Sequence, residues 1–341
     1  MLILYIIKQL TFNKILMKLR ITLVCMLFLH AKYAFVQDSH FSNVIAGLTY
    51  LNPSYISVVQ NPQINAIYRN QWPALNSAYV TYNASYIQPA AKLNSTFGIQ
   101  LMHDNQAQGA ILKTSLAGVY SYTVRISETV KLGAGLRLAY IFRNMNVNRL
   151  IFETDLTGAS TAGEPFGGEN LNSGYGDFSI GLTMNYDNRY FSGMSVDHIT
   201  QPAEHEGEPE LVTLSRRYTV HMNGKFSIIE RHKDDDVFLK PGILFQIQKN
   251  QNEIFYGANC SVNPFEFGLW ARQDLKFNYD AIVLLAGFSW LGYNFYYTYD
   301  VNMKNIQFFS AGMGAHEVTF LYNFQYKEKG RKKGAVKCPR F

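Results

Sequence analysis

A chain of 341 residues is long enough for one large β domain or two smaller ones. Aromatic residues make up 15% of it, with 23 Tyr and 24 Phe, against only 16% charged residues; that balance fits the interfacial girdles of a membrane β-barrel better than a soluble enzyme. The formal charge of +6 belongs to the two ends, because residues 1–36 carry Lys8, Lys14, Lys18, Arg20 and Lys32 with no acid, and residues 327–340 carry seven bases and one acid, so the stretch between is net acidic and excludes a basic face for nucleic acid.

In chain order, residues 1–36 read as a secretory signal whose true start is expected at Met17. A basic n-region (Lys18, Arg20) precedes the apolar run Ile21–Leu29 and the small residues Ala31 and Ala34. Neither apolar run here is long enough to span a bilayer as a helix, and Cys25 lacks the small preceding residue of a lipoprotein cysteine. Removing the signal leaves Cys260 and Cys338, too few for a disulfide framework and wrongly spaced for zinc. Residues 37–63 show no sustained period and are expected to form a periplasmic N-terminal segment or plug, with a short helix, against or inside a barrel.

From Ile64 a period of two takes over. Val130, Leu132, Ala134, Leu136, Leu138 and Tyr140 fall on one face and Lys131, Gly133, Gly135 and Arg137 on the other. Because Lys or Arg facing lipid costs roughly 2–4 kcal/mol at mid-membrane, the charged face must be lumenal and the lumen watered or hydrogen-bonded; small lumenal residues let a strand bend or a plug approach. The same sorting places strands at 64–73, 76–87, 95–104, 110–126, 129–143, 177–187, 189–199, 214–228, 237–248, 253–263, 264–273, 279–290, 291–301 and 315–327. These fourteen are an even number, as a bacterial single-chain barrel requires. The last strand carries Val318, Phe320, Tyr322, Phe324 and Tyr326 on one face and is expected to close the barrel against the first. The longest connections, 144–176 and 200–213, follow the fifth and seventh strands, and 302–314 follows the thirteenth, the asymmetry of long outer loops and short periplasmic turns. The apolar run Ala281–Tyr293 is too short for a spanning helix and reads instead as two strands turning at Trp290–Gly292.

The expected architecture is therefore all-β, a transmembrane antiparallel barrel of fourteen strands over 64–327, followed by a basic periplasmic tail at 328–341, with both termini periplasmic in the bacterial outer membrane. Catalytic signatures are absent: there is no G-x-S-x-G, H-E-x-x-H or P-loop, and Gly133-x-Gly135 lies within a strand. No enzyme activity, cofactor or metal is expected. His198 and His205 belong to an outer loop with the acidic run Glu204–Glu210, which reads as a solvated loop rather than a cation site, as does Asp234–Asp236. A soluble β-sandwich, the least favoured reading, would be extracted without detergent.

Particular residues carry a family resemblance. Gln37-Asp38-Ser39-His40-Phe41-Ser42, Leu51-Asn52-Pro53-Ser54-Tyr55, Tyr68-Arg69-Asn70-Gln71-Trp72, Ser121-Tyr122-Thr123-Val124-Arg125, Phe178-Ser179-Ile180-Gly181, Ser310–Glu317 and the ending Cys338-Pro339-Arg340-Phe341, taken in order and spacing, resemble the PorP/SprF outer-membrane proteins of the type IX secretion system of Bacteroidota. The resemblance implies a non-enzymatic component that assists export or surface attachment of a cognate secreted protein, in some members a gliding adhesin. It implies contacts with outer-membrane lipid, with that cargo, and with periplasmic ring or lipoprotein components, and none with nucleic acid. It nominates Asn52, Pro53, Tyr68, Arg69, Gln71, Trp72, His316 and Glu317 as structural or partner contacts; His316 and Glu317 are expected as a buried pair pinning the last outer loop, with cargo contact as the competing role. The competing function is an outer-membrane transporter or channel for hydrophobic or small solutes.

Overall fold

A computed structural model describes residues 38–75, 79–146, 149, 171–204, 213–229, 237–303 and 314–324. A helix α1 (Val44–Leu51) and a 3-10 turn (Pro53–Val58) precede the strands. These are β1 (Gln63–Gln71), β2 (Tyr79–Ala90), β3 (Ser95–Gln106), β4 (Ile111–Arg125), β5 (Val130–Met145), β6 (Leu171–Tyr186), β7 (Tyr190–Asp197), β8 (Arg217–Gly224), β9 (Phe226–Ile229), β10 (Val237–Gln248), β11 (Gln251–Val262), β12 (Phe265–Gln273), β13 (Tyr279–Trp290), β14 (Tyr293–Asn302) and β15 (Ala315–Asn323).

All pairings are antiparallel, and the sheet closes on itself: Tyr68 of β1 lies opposite Tyr82 of β2 on one side and Val318 of β15 on the other. β8 and β9 both pair with β10, so they are two halves of one stave and the ring has fourteen. Closure pairs strand to strand around the ring, the condition for crossing a bilayer with β structure. The closing role expected of the last strand is therefore what β15 performs. Its strand ends at Asn323, short of the expected 327. Two other departures have local causes. The strand expected at 214–228 is interrupted at Lys225, whose N–H donates to the Arg189 carbonyl at 2.8 Å; β8 and β9 keep one register against β10 across this break, and a bulge follows only between Ser227 and Ile229. β6 begins at Leu171 rather than 177, because Asn172-Ser173-Gly174-Tyr175-Gly176, a composition that reads as turn, pairs along β5 up to Met145.

The two ends of the barrel differ. One carries the short connections 91–94, 126–129, 187–189, 263–264 and 291–292, with 230–236 as its longer exception, and the other carries the longest ones, 146–170, 198–216 and 303–314, beside shorter ones such as 249–250. At the short-turn end the hairpin expected at Trp290–Gly292 forms with positive φ at both Leu291 (48°) and Gly292 (88°), the handedness a two-residue hairpin needs to match strand twist. The expected signal peptide, Cys338, the basic tail, His205–Glu210 and Asp234–Asp236 lie outside the described residues.

Outward residues form an apolar belt: Leu132, Leu138, Ile180, Leu182, Met184, Val220, Phe267, Phe295 and Val318 are all exposed. Their inward neighbours, such as Arg137, Ser179, Thr183, Thr219 and Thr319, are buried. This is inside-out relative to a soluble domain and is the surface a bilayer requires. Leu182→Arg in the belt should destabilise the barrel in lipid vesicles by about 2–4 kcal/mol, measured by denaturant titration, whereas Leu182→Ala should cost far less.

Candidate functional site: the occupied lumen

The segment from His40 to Val59 runs inside the ring of strands, beginning near the long-loop end and reaching the short-turn end where β1 starts. Its helix is buried at every position except Ile45, which is partly buried; a helix apolar all round belongs in a core. Asn43 caps it, its Oδ1 accepting from the Ala46 N–H at 3.3 Å. Phe41, Val44, Leu48, Tyr50 and Leu51 pack against Ile67, Leu244, Phe255, Trp270 and Val283 of the wall. That contact explains why Ala281–Tyr293 reads as continuously apolar: Leu284 and Phe288 face outward and are exposed, while Val283 and Leu285 face the lumen and are buried.

Charged side chains clamp the segment at both ends of the helix. Near its start, Glu317 is fully buried and accepts the backbone N–H groups of Ser42 (2.7 Å) and Asn43 (2.9 Å) on its two carboxylate oxygens. Arg69 donates to Glu317 (3.4 Å), to the Ser42 hydroxyl and to Asp300 (2.9 Å). Asp300 also accepts from Arg272 (3.2 Å), whose Nε reaches Asp280 at 2.8 Å. His40 sits 3.4 Å from Arg69 Nη2. Burial, with Arg272 and Arg69 beside it, pushes its imidazole well below the usual histidine range.

At the other end of the helix, Arg137 and Arg217 share Asp197, at 2.7 and 3.0 Å. Arg137 donates to the Tyr50 carbonyl and Arg217 to the Tyr50 hydroxyl, and both guanidiniums lie over the Tyr50 ring, Arg217 at 4.9 Å from its centroid. Ser195 donates to the Leu51 carbonyl at 2.6 Å. The following 3-10 turn lies on a glycine floor. A Cβ at Gly135 would overlap the backbone of Pro53 and Ser54, one at Gly133 would overlap Ser57, and one at Gly181 would overlap Asn52. Asn52 is fully buried; its Oδ1 accepts from Ser54 N–H (3.0 Å) and its Nδ2 donates to the Leu182 carbonyl (3.2 Å), with His221 Nε2 at 3.1 Å.

The nominated residues thus divide. Arg69 and Glu317 bond directly, and Asn52 and Pro53 occupy the glycine floor. Tyr68 faces outward against Tyr82, with ring centroids 5.2 Å apart. Gln71 lies at the long-loop rim with Trp72, whose N–H donates to the Gly314 carbonyl at 2.8 Å. His316 and Glu317 do not form the expected pair, because neighbours on a strand point to opposite faces: Glu317 is lumenal, while His316 faces outward and contacts Tyr297 Oη through Nδ1 at 2.7 Å. Glu204 also departs from expectation. It is buried, not solvated, and is paired with Lys113 and with Tyr175 Oη (3.3 Å). Sequence reasoning missed Ser42, Tyr50, Asp197, Arg217, Arg272 and Asp300. The signal of Asp197, Arg217, Arg272 and Asp300 was a charge at a lumenal strand position, which does not name its partner; Ser42 and Tyr50, in the lumenal segment, carried no such signal. No group of three or more His, Cys, Asp or Glu able to hold a metal occurs among the described residues.

A cavity of about 350 Å³ remains between the segment and the wall at the short-turn end, lined in part by Asn61, Gln63, Asn65, Asn259 and Asn323 and by the Lys240–Glu266 ion pair (2.8 Å). Glu317→Ala leaves two backbone N–H groups buried without their acceptor, with Arg69 still paired to Asp300, and should cost about 1–3 kcal/mol for each orphaned donor, and Gly135→Val should lift Pro53–Ser54 from the wall. Amide hydrogen exchange of Ser42 and Asn43 in the first variant, and of Ser54 in the second, should rise in each case above that of the unaltered protein.

Among solved structures, the CymD monoaromatic hydrocarbon channel is similar at 11% identity, with 82% of this chain and 93% of that chain covered and a TM-score of 0.48. A Pseudomonas aeruginosa FadL homologue is similar at 11% identity, 80% and 93% coverage and a TM-score of 0.42, and Acinetobacter baumannii Omp33 at 7%, 79% and 100%, and 0.45. No curated protein sequence matches the chain. The family described as type IX secretion system membrane protein PorP/SprF matches residues 34–322, nearly the whole span described above. The chain belongs to the PorP/SprF family of type IX secretion system membrane proteins.

Proposed function

We propose that this barrel is a non-conducting accessory of the type IX secretion system, one that assists export or surface attachment of a cognate secreted protein, such as a gliding adhesin, and is not itself the conduit. The observation that carries this reading is the occupied lumen. A gate that must clear a path for each solute would be expected to rest on weak contacts, whereas this segment is held at both ends of its helix by hydrogen bonds to buried, ion-paired side chains of the wall, with an apolar core between them. Withdrawing the segment would strip Glu317 of two N–H donors and Arg137 and Arg217 of their acceptors on Tyr50, and hydrogen bonds to buried charged groups are worth about 1.5–3 kcal/mol each.

In this reading the long loops face outside and present surface to cargo, while the short turns and the C-terminal tail face the periplasm, where ring or lipoprotein components would engage. Tyr68 and His316 contact lipid headgroups or a neighbour in the membrane, and Asn52, Pro53, Arg69 and Glu317 act structurally by holding the lumenal segment. The competing channel reading draws on the cavity at the short-turn end.

Deleting the gene should remove one or a few specific proteins from the cell surface, as read by surface proteomics; an unchanged surface would count against the accessory role. Purified protein in proteoliposomes should give no swelling with small sugars or amino acids, and measurable swelling would favour the channel.

A further inference from the structure

Every junction of the ring but one joins staves that follow one another along the chain. The exception is the seam between β1 and β15, which pairs Gln63–Gln71 with Ala315–Asn323 and brings together the two ends of the barrel sequence. No connection delivers one of these strands to the other, so the seam bears the loop-closure entropy of the whole ring.

The lumenal segment sits on that seam. Three successive lumenal positions of β1 hold it: Asn65 donates through Nδ2 to the Ala46 carbonyl at 3.1 Å, Ile67 shares an apolar cluster with Phe41, Val44 and Leu48, and Arg69 donates to the Ser42 hydroxyl. From β15 comes Glu317, directly opposite Arg69 in the ladder and the only carboxylate of that strand. It accepts the N–H groups of Ser42 and Asn43. Residues 42–46 therefore bridge the two strands on their lumenal face. The segment's bonds to Arg137, Ser195 and Arg217 fall on β5, β7 and β8, strands that meet their neighbours in chain order. Only at the seam does the segment connect two strands that the chain itself does not.

The connection to β1 supplies a second argument. Only residues 60–62 separate the segment from β1, so the segment travels with that strand. Seated against β1, it presents the Ser42 and Asn43 N–H groups beside Arg69, a site already built for the single carboxylate that β15 carries.

We propose that the lumenal segment is the latch of the barrel: seating of residues 42–46 and closure of the β1–β15 seam are one cooperative event, and a barrel whose segment is withdrawn opens along this seam before any other junction. The inference concerns closure of the ring and stands apart from the export reading, whose test is the surface proteome.

The test uses the full chain in lipid vesicles, with amide exchange read by mass spectrometry. Asn43 has a φ of −78°, which admits proline, so Asn43→Pro removes one donor to Glu317 without straining the backbone at that position. Asn43→Ala keeps that N–H and loses only the cap of α1. Loss of a hydrogen bond to a buried charge should raise exchange in 63–71 and 315–323 about tenfold in Asn43→Pro. The β4–β5 ladder should exchange as in the unaltered protein, and Asn43→Ala should leave the seam close to its original rate.

Two staples then separate the seam from the rest of the wall, in a chain whose own cysteines are replaced by Ala. Tyr68→Cys with Val318→Cys joins β1 to β15, and Leu116→Cys with Tyr140→Cys joins β4 to β5; both are directly opposed pairs, at a spacing that suits a disulfide. The seam staple should return exchange in Asn43→Pro to that of the unaltered protein, and the β4–β5 staple should not. Seam exchange unchanged by Asn43→Pro, an equal rise in β4–β5, an equal rise in Asn43→Ala, or a seam staple no more effective than the other would each overturn the proposal. If Asn43→Pro does not fold, as heat-modifiability on electrophoresis reports, the same staples decide: folding restored by the seam staple alone supports the latch, and any other result overturns it.

Discussion

The structure depends on the requirement that charges on the inward face of a closed barrel be paired. Arg69, Arg137, Arg217, Asp197, Asp300 and Glu317 are all buried, and removing such charges from water costs several kcal/mol per ion unless geometry and hydrogen bonds repay it. The wall cannot do this alone. Glu317 has two backbone N–H groups from the lumenal segment as well as Arg69, and Arg137 and Arg217 converge on Tyr50 as well as on Asp197. The segment supplies the missing donors, acceptors and aromatic face, and the barrel in turn shields an apolar helix that would not be stable alone in water.

The same requirement distributes the small residues. Where helix and turn must approach the wall most closely, β5 and β6 present Gly133, Gly135 and Gly181, because any side chain there would occupy the volume of Asn52, Ser54 or Ser57. Where the helix instead meets β10 to β13, the wall presents Leu244, Phe255, Trp270 and Val283. The lumen is thus two-sided, with a polar floor on one wall and an apolar one opposite. That division gives the segment one seat and one orientation, and ties a family of secretion-system barrels to a filled interior in this member.

Strand count, strand faces and closure were legible before any coordinates. Leu132, Leu138, Ile180 and Val220 alternate with Lys131, Arg137, Ser179 and Thr219, and a side-chain period of two leaves only one assignment of faces once charge is barred from lipid. The exceptions were also physical. The β6 extension hid behind a turn-like composition that the β5 ladder overrides, and the bulge in β9 is defined only by its pairing with β10, a strand further along the chain. Of the nominated residues, Arg69 and Glu317 met in one cluster. The supposed His316–Glu317 pair failed on the same alternation that identified the strand.

The sequence by itself determined a membrane barrel of fourteen staves, its lipid-facing set and its lumenal set, because those follow from local periodicity and the energetics of charge in a bilayer. Only the tertiary structure decided which lumenal charges pair and that residues 40–59 fill the interior. Those outcomes rest on curvature and closure, which bring Arg69 beside Asp300 and Glu317, and Arg137 beside Asp197 and Arg217, across separations along the chain that no local pattern records.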